Sequence, residues 1–136
     1  MNQNIKYFFS DAWLFLSIIL STHNKKKVYA ELTSIIASAD FINHAIISFE
    51  EVRDGLNKLL KAKLIKEDNK RFCLAERGKE IYLKINKKSN SHLDVVGAID
   101  KFFNQKLLLD SNNSLKKKKN ITKEDYELAL KNYIKN

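Results

Sequence analysis

The sequence predicts a mainly α (α+β) fold in the order α-α-α-β-β-α, followed by two C-terminal helices. Three observations lead there. Zero Pro and only three Gly in 136 residues favour long helices joined by few tight turns. Apolar residues recur at helical spacing through most of the chain. Between the third and fourth helical stretches, the short apolar runs Leu64-Ile65 and Phe72-Cys73-Leu74 flank a polar turn, as in a β-hairpin. A helix that feeds a hairpin, which feeds another helix, is the second half of a winged helix. This length suits one domain with one core. We place the winged helix at residues 1–90 and a helical extension, packed on the first helix or on a second subunit, at residues 91–136.

Each element has a local reason. Ser10 can cap the first helix and Asp11 suits its positive end. That helix carries Trp13, Leu14, Phe15, Leu16, Ile18, Ile19 and Leu20 around nearly its whole circumference. A helix apolar all round must be covered on several sides, by its own domain or by a second subunit. After a basic loop at His23–Lys27, a second helix is expected over about Val28–Ala39, with Leu32, Ile35, Ile36 and Ala39 on one face.

Ser48 and Glu51 have capping-box spacing at the start of the third helix, which buries Val52, Leu56, Leu59 and Leu60. Leu64-Ile65 opens one strand and Phe72–Leu74 forms its partner. Asp68-Asn69 is the expected turn, since both residues tolerate positive φ. The fourth helix starts near Glu76 and carries Ile81, Tyr82 and Ile85. The fifth follows the pair Ser91 and Asp94 and puts Val95, Val96, Ile99, Phe102, Phe103 and Leu107 on one stripe. A polar linker at Asp110–Asn120 contains Lys116–Lys119. Thr122 then caps a last helix with Tyr126, Leu130, Tyr133 and Ile134 on one side. These aromatics are expected to pack helices.

The formal charge is +9, and all but three of the 25 basic residues are Lys. Such a balance suits a polyanion partner, or it reflects a chain enriched in Lys, Asn and Ile together. The same two readings, anchor or solvated linker, apply to Lys116–Lys119. The single Cys73 excludes an internal disulfide and suits a reducing compartment. The apolar run Tyr7–Leu20 is interrupted by Asp11, lacks a following cleavage site, and is too short to span a bilayer. A cytoplasmic protein with no membrane segment is expected.

Leu59-Leu60-Lys-Ala-Lys-Leu64-Ile65 and Arg71-Phe72-Cys-Leu74-Ala75-Glu-Arg-Gly78 resemble winged helix-turn-helix transcription regulators of the MarR and PadR types, over about residues 11–88. In that family a glycine usually ends the third helix, and Leu-Thr closes the second strand with a glycine three residues on. Gly78 fits. Lys63 stands where the first glycine is expected, so it must take a left-handed conformation, at about 1 kcal/mol, or end the helix differently. Ala75 stands where the threonine is expected, which forgoes about 1 kcal/mol of capping.

The resemblance implies a small bacterial-type regulator that binds double-stranded DNA as a homodimer. The third helix would enter the major groove and the hairpin tip would touch the backbone or minor groove. The residues it points to are Arg53, Asn57, Lys58 and Lys61 on the helix and Lys66, Lys70 and Arg71 on the hairpin. The first and fifth helices carry more apolar surface than a small domain easily hides, so Trp13, Phe15, Ile99, Phe102 and Phe103 form the expected self-association surface. A dimer would present two third helices to successive grooves.

The alternative is a winged-helix protein-interaction module without nucleic acid. Glu50, Glu51 and Asp54 crowd the end of the third helix that would point at DNA, and with Phe49 they suit a basic partner. Asp40, Asn43 and His44 form a further polar group, read either as a small-ligand site or as satisfaction of backbone groups at a helix end. The chain has no Gly-rich phosphate loop, no Gly-x-Ser-x-Gly and no His-Glu-x-x-His. His23, His44 and His92 lack metal-ligand spacing. No enzyme activity, cofactor or metal is expected.

Overall fold

The structure is a computed structural model that describes residues 6–23, 28–85, 91–107 and 120–135. Its elements are α1 (Phe9–His23), α2 (Leu32–Asn43), α3 (Phe49–Lys61), β1 (Ile65–Asp68), β2 (Arg71–Leu74), α4 (Glu76–Lys84), α5 (His92–Lys106) and α6 (Lys123–Lys135). The winged-helix order is present, with two helices after it. Lys116–Lys119 lies outside the described residues.

α1 is the centre. Residues 11–19 are all buried, and α2, α3, α5 and β2 pack around them. Its Ser17 and Ser21 hydroxyls donate back to the carbonyls of Trp13 and Ser17, so these two buried hydroxyls keep their hydrogen bonds. Trp13 Nε1 donates to the Ala39 carbonyl at 2.9 Å and ties α1 to the end of α2. Ser10 is not the cap of α1. Asp11 takes that role by accepting the Phe8 amide at 2.7 Å.

The second helix starts four residues later than its periodicity suggested. Tyr29 and Ala30 precede it, and Ala30 exchanges backbone hydrogen bonds with Phe72, widening the hairpin by an isolated bridge. Backbone pairing with a distant strand outweighs the local helical pattern there. At its other end α2 runs on to Asn43 and closes with His44 in a left-handed conformation.

α3 starts with the expected capping box: Ser48 Oγ accepts the Glu51 amide at 3.1 Å, and Glu51 Oε1 accepts the Ser48 amide at 2.9 Å. Ser48→Ala should lower stability by about 1 kcal/mol, read as a shifted urea midpoint. α3 ends in a Schellman motif, with Lys63 N–H on the Leu60 carbonyl and Leu64 N–H on the Leu59 carbonyl. Lys63 takes the left-handed conformation the motif demands, at φ 62°.

The hairpin pairs Ile65 with Leu74 and Asp68 with Arg71. Its turn is therefore Asn69-Lys70, one residue beyond the expected Asp68-Asn69, and both residues have positive φ as a tight hairpin turn requires. Cys73 is a buried free thiol whose pKa is pushed up by burial.

The extension divides between two helices. α5 lies on α1, where Phe103 meets Phe15 and Tyr7 with ring centroids 5.4 and 5.2 Å apart. α6 lies on α2, not on α1 as expected. Thr122 and Asp125 form a second capping box at its start. Among the described residues, no helix is long and apolar enough to cross a membrane.

Candidate interaction face of the winged helix

The expected self-association residues lie inside one chain. Trp13, Phe15, Ile99 and Phe103 are buried, and Phe102 is half-buried against the same core. The apolar surplus on α1 and α5 is used by packing these two helices on each other, so those four side chains are not available to a second subunit.

The surface expected to meet DNA is formed by α3 and the hairpin tip. Lys58 is not on it. Its ammonium is buried and donates to Asp11 Oδ2 at 2.8 Å, with the Phe8 ring centroid 4.0 Å away. The reason is the approach of α1. Gly55, one turn before Lys58 on the same side of α3, leaves no Cβ where Leu14 and Asp11 come in; a Cβ there would stand 2.6 Å from Leu14 Cδ2. Gly55 was the sequence signal for a close α1–α3 contact, and hence for an inward Lys58.

The other expected contacts are engaged within the chain to different degrees. Arg53 Nε donates to Asp54 Oδ1 at 2.9 Å, and its guanidinium lies over Phe49. Asn57 Oδ1 accepts from Asn120 Nδ2 at 2.6 Å. Lys70, at the hairpin tip, donates to Asp125 Oδ2 at 2.8 Å. Arg71 Nη2 donates to Asp68 Oδ2 at 3.1 Å and stands near the Tyr29 ring. Lys61 is half-buried at the end of α3, and Lys66 is exposed on β1.

Asn120 and Asp125 mark the feature that the sequence reading missed. The segment from Asn120 through α6 crosses this face. Asn120 sits against the middle of α3 and Asp125 against the hairpin tip. The Tyr126 ring packs on Phe49, its hydroxyl donates to the Ile47 carbonyl at 2.6 Å, and farther along the Tyr133 hydroxyl donates to Asp40. Asp40 accepts from Tyr133 and so fastens α6 to α2. The Tyr126/Tyr133 spacing showed one shared helix face but not which surface that face would meet.

Two electrostatic features complete the face. A cleft of about 380 Å³ opens between the start of α1 and α3; half of its lining residues are the carboxylates Asp11, Glu50, Glu51 and Asp54, and the rest are Phe8, Ser10, Asn57 and Lys58. At the latch itself, Lys70 and the Thr122 amide hold the Asp125 carboxyl below its ordinary value. A depressed folded-state pKa contributes stability above the unfolded value, and that contribution is lost as pH falls through the depressed one. Hydrogen exchange from α6 should therefore accelerate, relative to α1, as pH drops below the ordinary carboxylate range, after correction for intrinsic exchange. An unchanged ratio would show that the Lys70–Asp125 contact does not hold α6.

Among the described residues, no group of three or more His, Cys, Asp or Glu side chains is placed to hold a metal ion. No family model matches the chain, and no curated protein or solved structure matches it.

Proposed function

We propose that the protein is a winged-helix protein-interaction module. One observation carries this reading: the face formed by α3, the hairpin tip and α2 holds α6 through Lys70, the Ile47 carbonyl and Asp40, and the residues leading into it through Asn57. A duplex groove needs that face open and rich in outward cations. Here the first turn of α3 carries Glu50 and Glu51, Lys58 points inward, and Lys70 is paired with a carboxylate. Acidic groups beside an apolar ring are better matched to a polypeptide than to phosphates. A cytoplasmic setting belongs to the same reading and fits a free buried thiol at Cys73.

The second reading, a homodimeric transcription regulator that binds duplex DNA, is favoured by the formal charge of +9 and by Lys66 facing outward on the hairpin. Fluorescence anisotropy of the full chain with random-sequence duplex, at low and near-physiological salt, separates the two. The interaction-module reading expects no binding at either salt. Binding that weakens steeply with salt would overturn it in favour of a phosphate footprint.

A further inference from the structure

We infer that α6 is a displaceable internal ligand of the winged helix, and that the face beneath it docks a partner helix of the same chemistry. This rests on the interaction-module reading and names its surface and its partner class. The partner is an amphipathic helix with an acidic first turn and hydroxyl-bearing aromatic residues two turns apart.

The recognition groups come from the winged helix. Lys70 at the hairpin tip meets a carboxylate in the first turn of the helix, here Asp125. The Ile47 carbonyl, just before α3, meets the first aromatic hydroxyl, here Tyr126. Asp40, near the end of α2, meets the second, here Tyr133. Asn57 on α3 meets the amide that leads into the helix, here Asn120. Cation, carbonyl and carboxylate along one groove define the polarity and register of the bound helix, the logic of helix-in-groove recognition.

Three observations make α6 displaceable. Its hold is largely polar and partly exposed: the Lys70 and Asp125 side chains are 55% and 30% accessible. Its apolar burial is smaller than that of the core helix: Tyr126 and Ala129 are buried within α6 and Ile121 just before it, and Leu130 and Tyr133 are half-buried, while residues 11–19 of α1 are all buried. Leu128 and Ile134 of α6 stand 61% and 69% exposed, Ile134 although it was expected on the packed side with Tyr126. The seam is also open, since a cleft of about 150 Å³ lies along it between Leu32 and Thr33 of α2, Lys70, and Asp125 and Ala129 of α6. Few buried apolar contacts and an unfilled seam place an element at the low end of local opening energies. Lys70, Asn57 and Asp40 would regain free polar groups on opening, and an incoming helix of the right pattern would satisfy them again.

The experiment uses the full chain and a labelled synthetic peptide of residues 120–135. The Asp125→Lys chain places a lysine against Lys70, weakens its own α6 and raises the open fraction. The wild-type peptide should bind that chain about tenfold or more tightly than it binds the wild-type chain. In a chain that keeps its own Asp125, Lys70→Glu opposes two carboxylates and opens α6; that chain should bind an Asp125→Lys peptide and not the wild-type peptide. Unchanged hydrogen-exchange protection in α1 confirms that the variants remain folded. Peptide binding to none of the chains, with α6 amides protected as well as those of α1, would overturn the inference and make α6 a fixed part of the core. If the peptide binds but random duplex competes it away, displaceable α6 stands and the interaction-module reading falls.

Discussion

Lys58→Met should destabilise the protein by about 3–5 kcal/mol, the range expected when one member of a buried ion pair is removed. The Lys58 and Asp11 side chains are 9% and 2% accessible, and their 2.8 Å contact joins α3 to α1 across 47 residues of sequence. Methionine preserves most of the aliphatic stem but leaves the Asp11 carboxylate with the Phe8 amide as its remaining donor. Burial already pushes the Asp11 pKa up against the opposing influence of Lys58 and Phe8. Without Lys58 that rise is larger. The loss should then be greatest at neutral pH and shrink as pH falls toward the raised value, because the carboxyl can be buried protonated. Urea unfolding at pH 7 and pH 5 reads both effects. Adding Asp11→Asn should recover a large part of the loss, as expected for a coupled pair. A wild-type midpoint in Lys58→Met would mean that Lys58 faces solvent, as a groove-binding residue must.

Gly78→Ala should be the second most damaging substitution, at the upper end of the roughly 1–3 kcal/mol typical of overpacking. A Cβ at position 78 would lie 2.1 Å from the Leu64 carbonyl oxygen. That oxygen cannot simply move aside, because it accepts the Ala75 amide at 3.0 Å and so closes the hairpin onto the start of α4. Relief requires α4 to shift outward, which would also strain the Arg77 Nη1 bond to the Ala62 carbonyl. Thermal unfolding should show a clearly lowered midpoint. The same substitution at Gly97, where a Cβ meets nothing within 4 Å, should be neutral or slightly stabilising. Equal midpoints for the two variants would remove close backbone approach as the reason for Gly78.

Both predictions concern contacts between residues far apart in sequence or in different elements, and that is where sequence reading stopped. The glycine spacing after β2 was legible as a pattern, but its cause, the Leu64 carbonyl, was not. At Lys63 two outcomes were legible, a left-handed residue or a different helix ending, and the Schellman hydrogen bonds realise the first. The apolar surplus of α1 and α5 was visible too. Whether it met another chain or another helix of the same chain could not be decided from periodicity, which says which residues share a face and nothing about what covers it.

The candidate face was legible in outline and misread in detail. α3 and the hairpin were located, and Arg53, Asn57, Lys61, Lys66, Lys70 and Arg71 do lie on or beside them. Lys58 was placed outside by the resemblance to winged-helix regulators. Its burial depends on Asp11, which only folding brings to it. α6 was recognised as a capped helix with two tyrosines on one side, but its landing place on α2, across the face, was not.

What the sequence by itself determined is the set of elements whose causes are local: the capping boxes at Ser48 and Thr122, the helical stripes, and the hairpin between two short apolar runs. These rest on bonds between residues a few positions apart, so a short window contains the whole cause. Only the tertiary structure decided which way Lys58 turns, what covers α1, and that α6 lies on α2, with Asp125 at the hairpin tip and the preceding Asn120 against α3. Those outcomes depend on partners 26 to 93 residues away, and on competition between a second chain and the chain's own helices for the same surface, which no local pattern encodes.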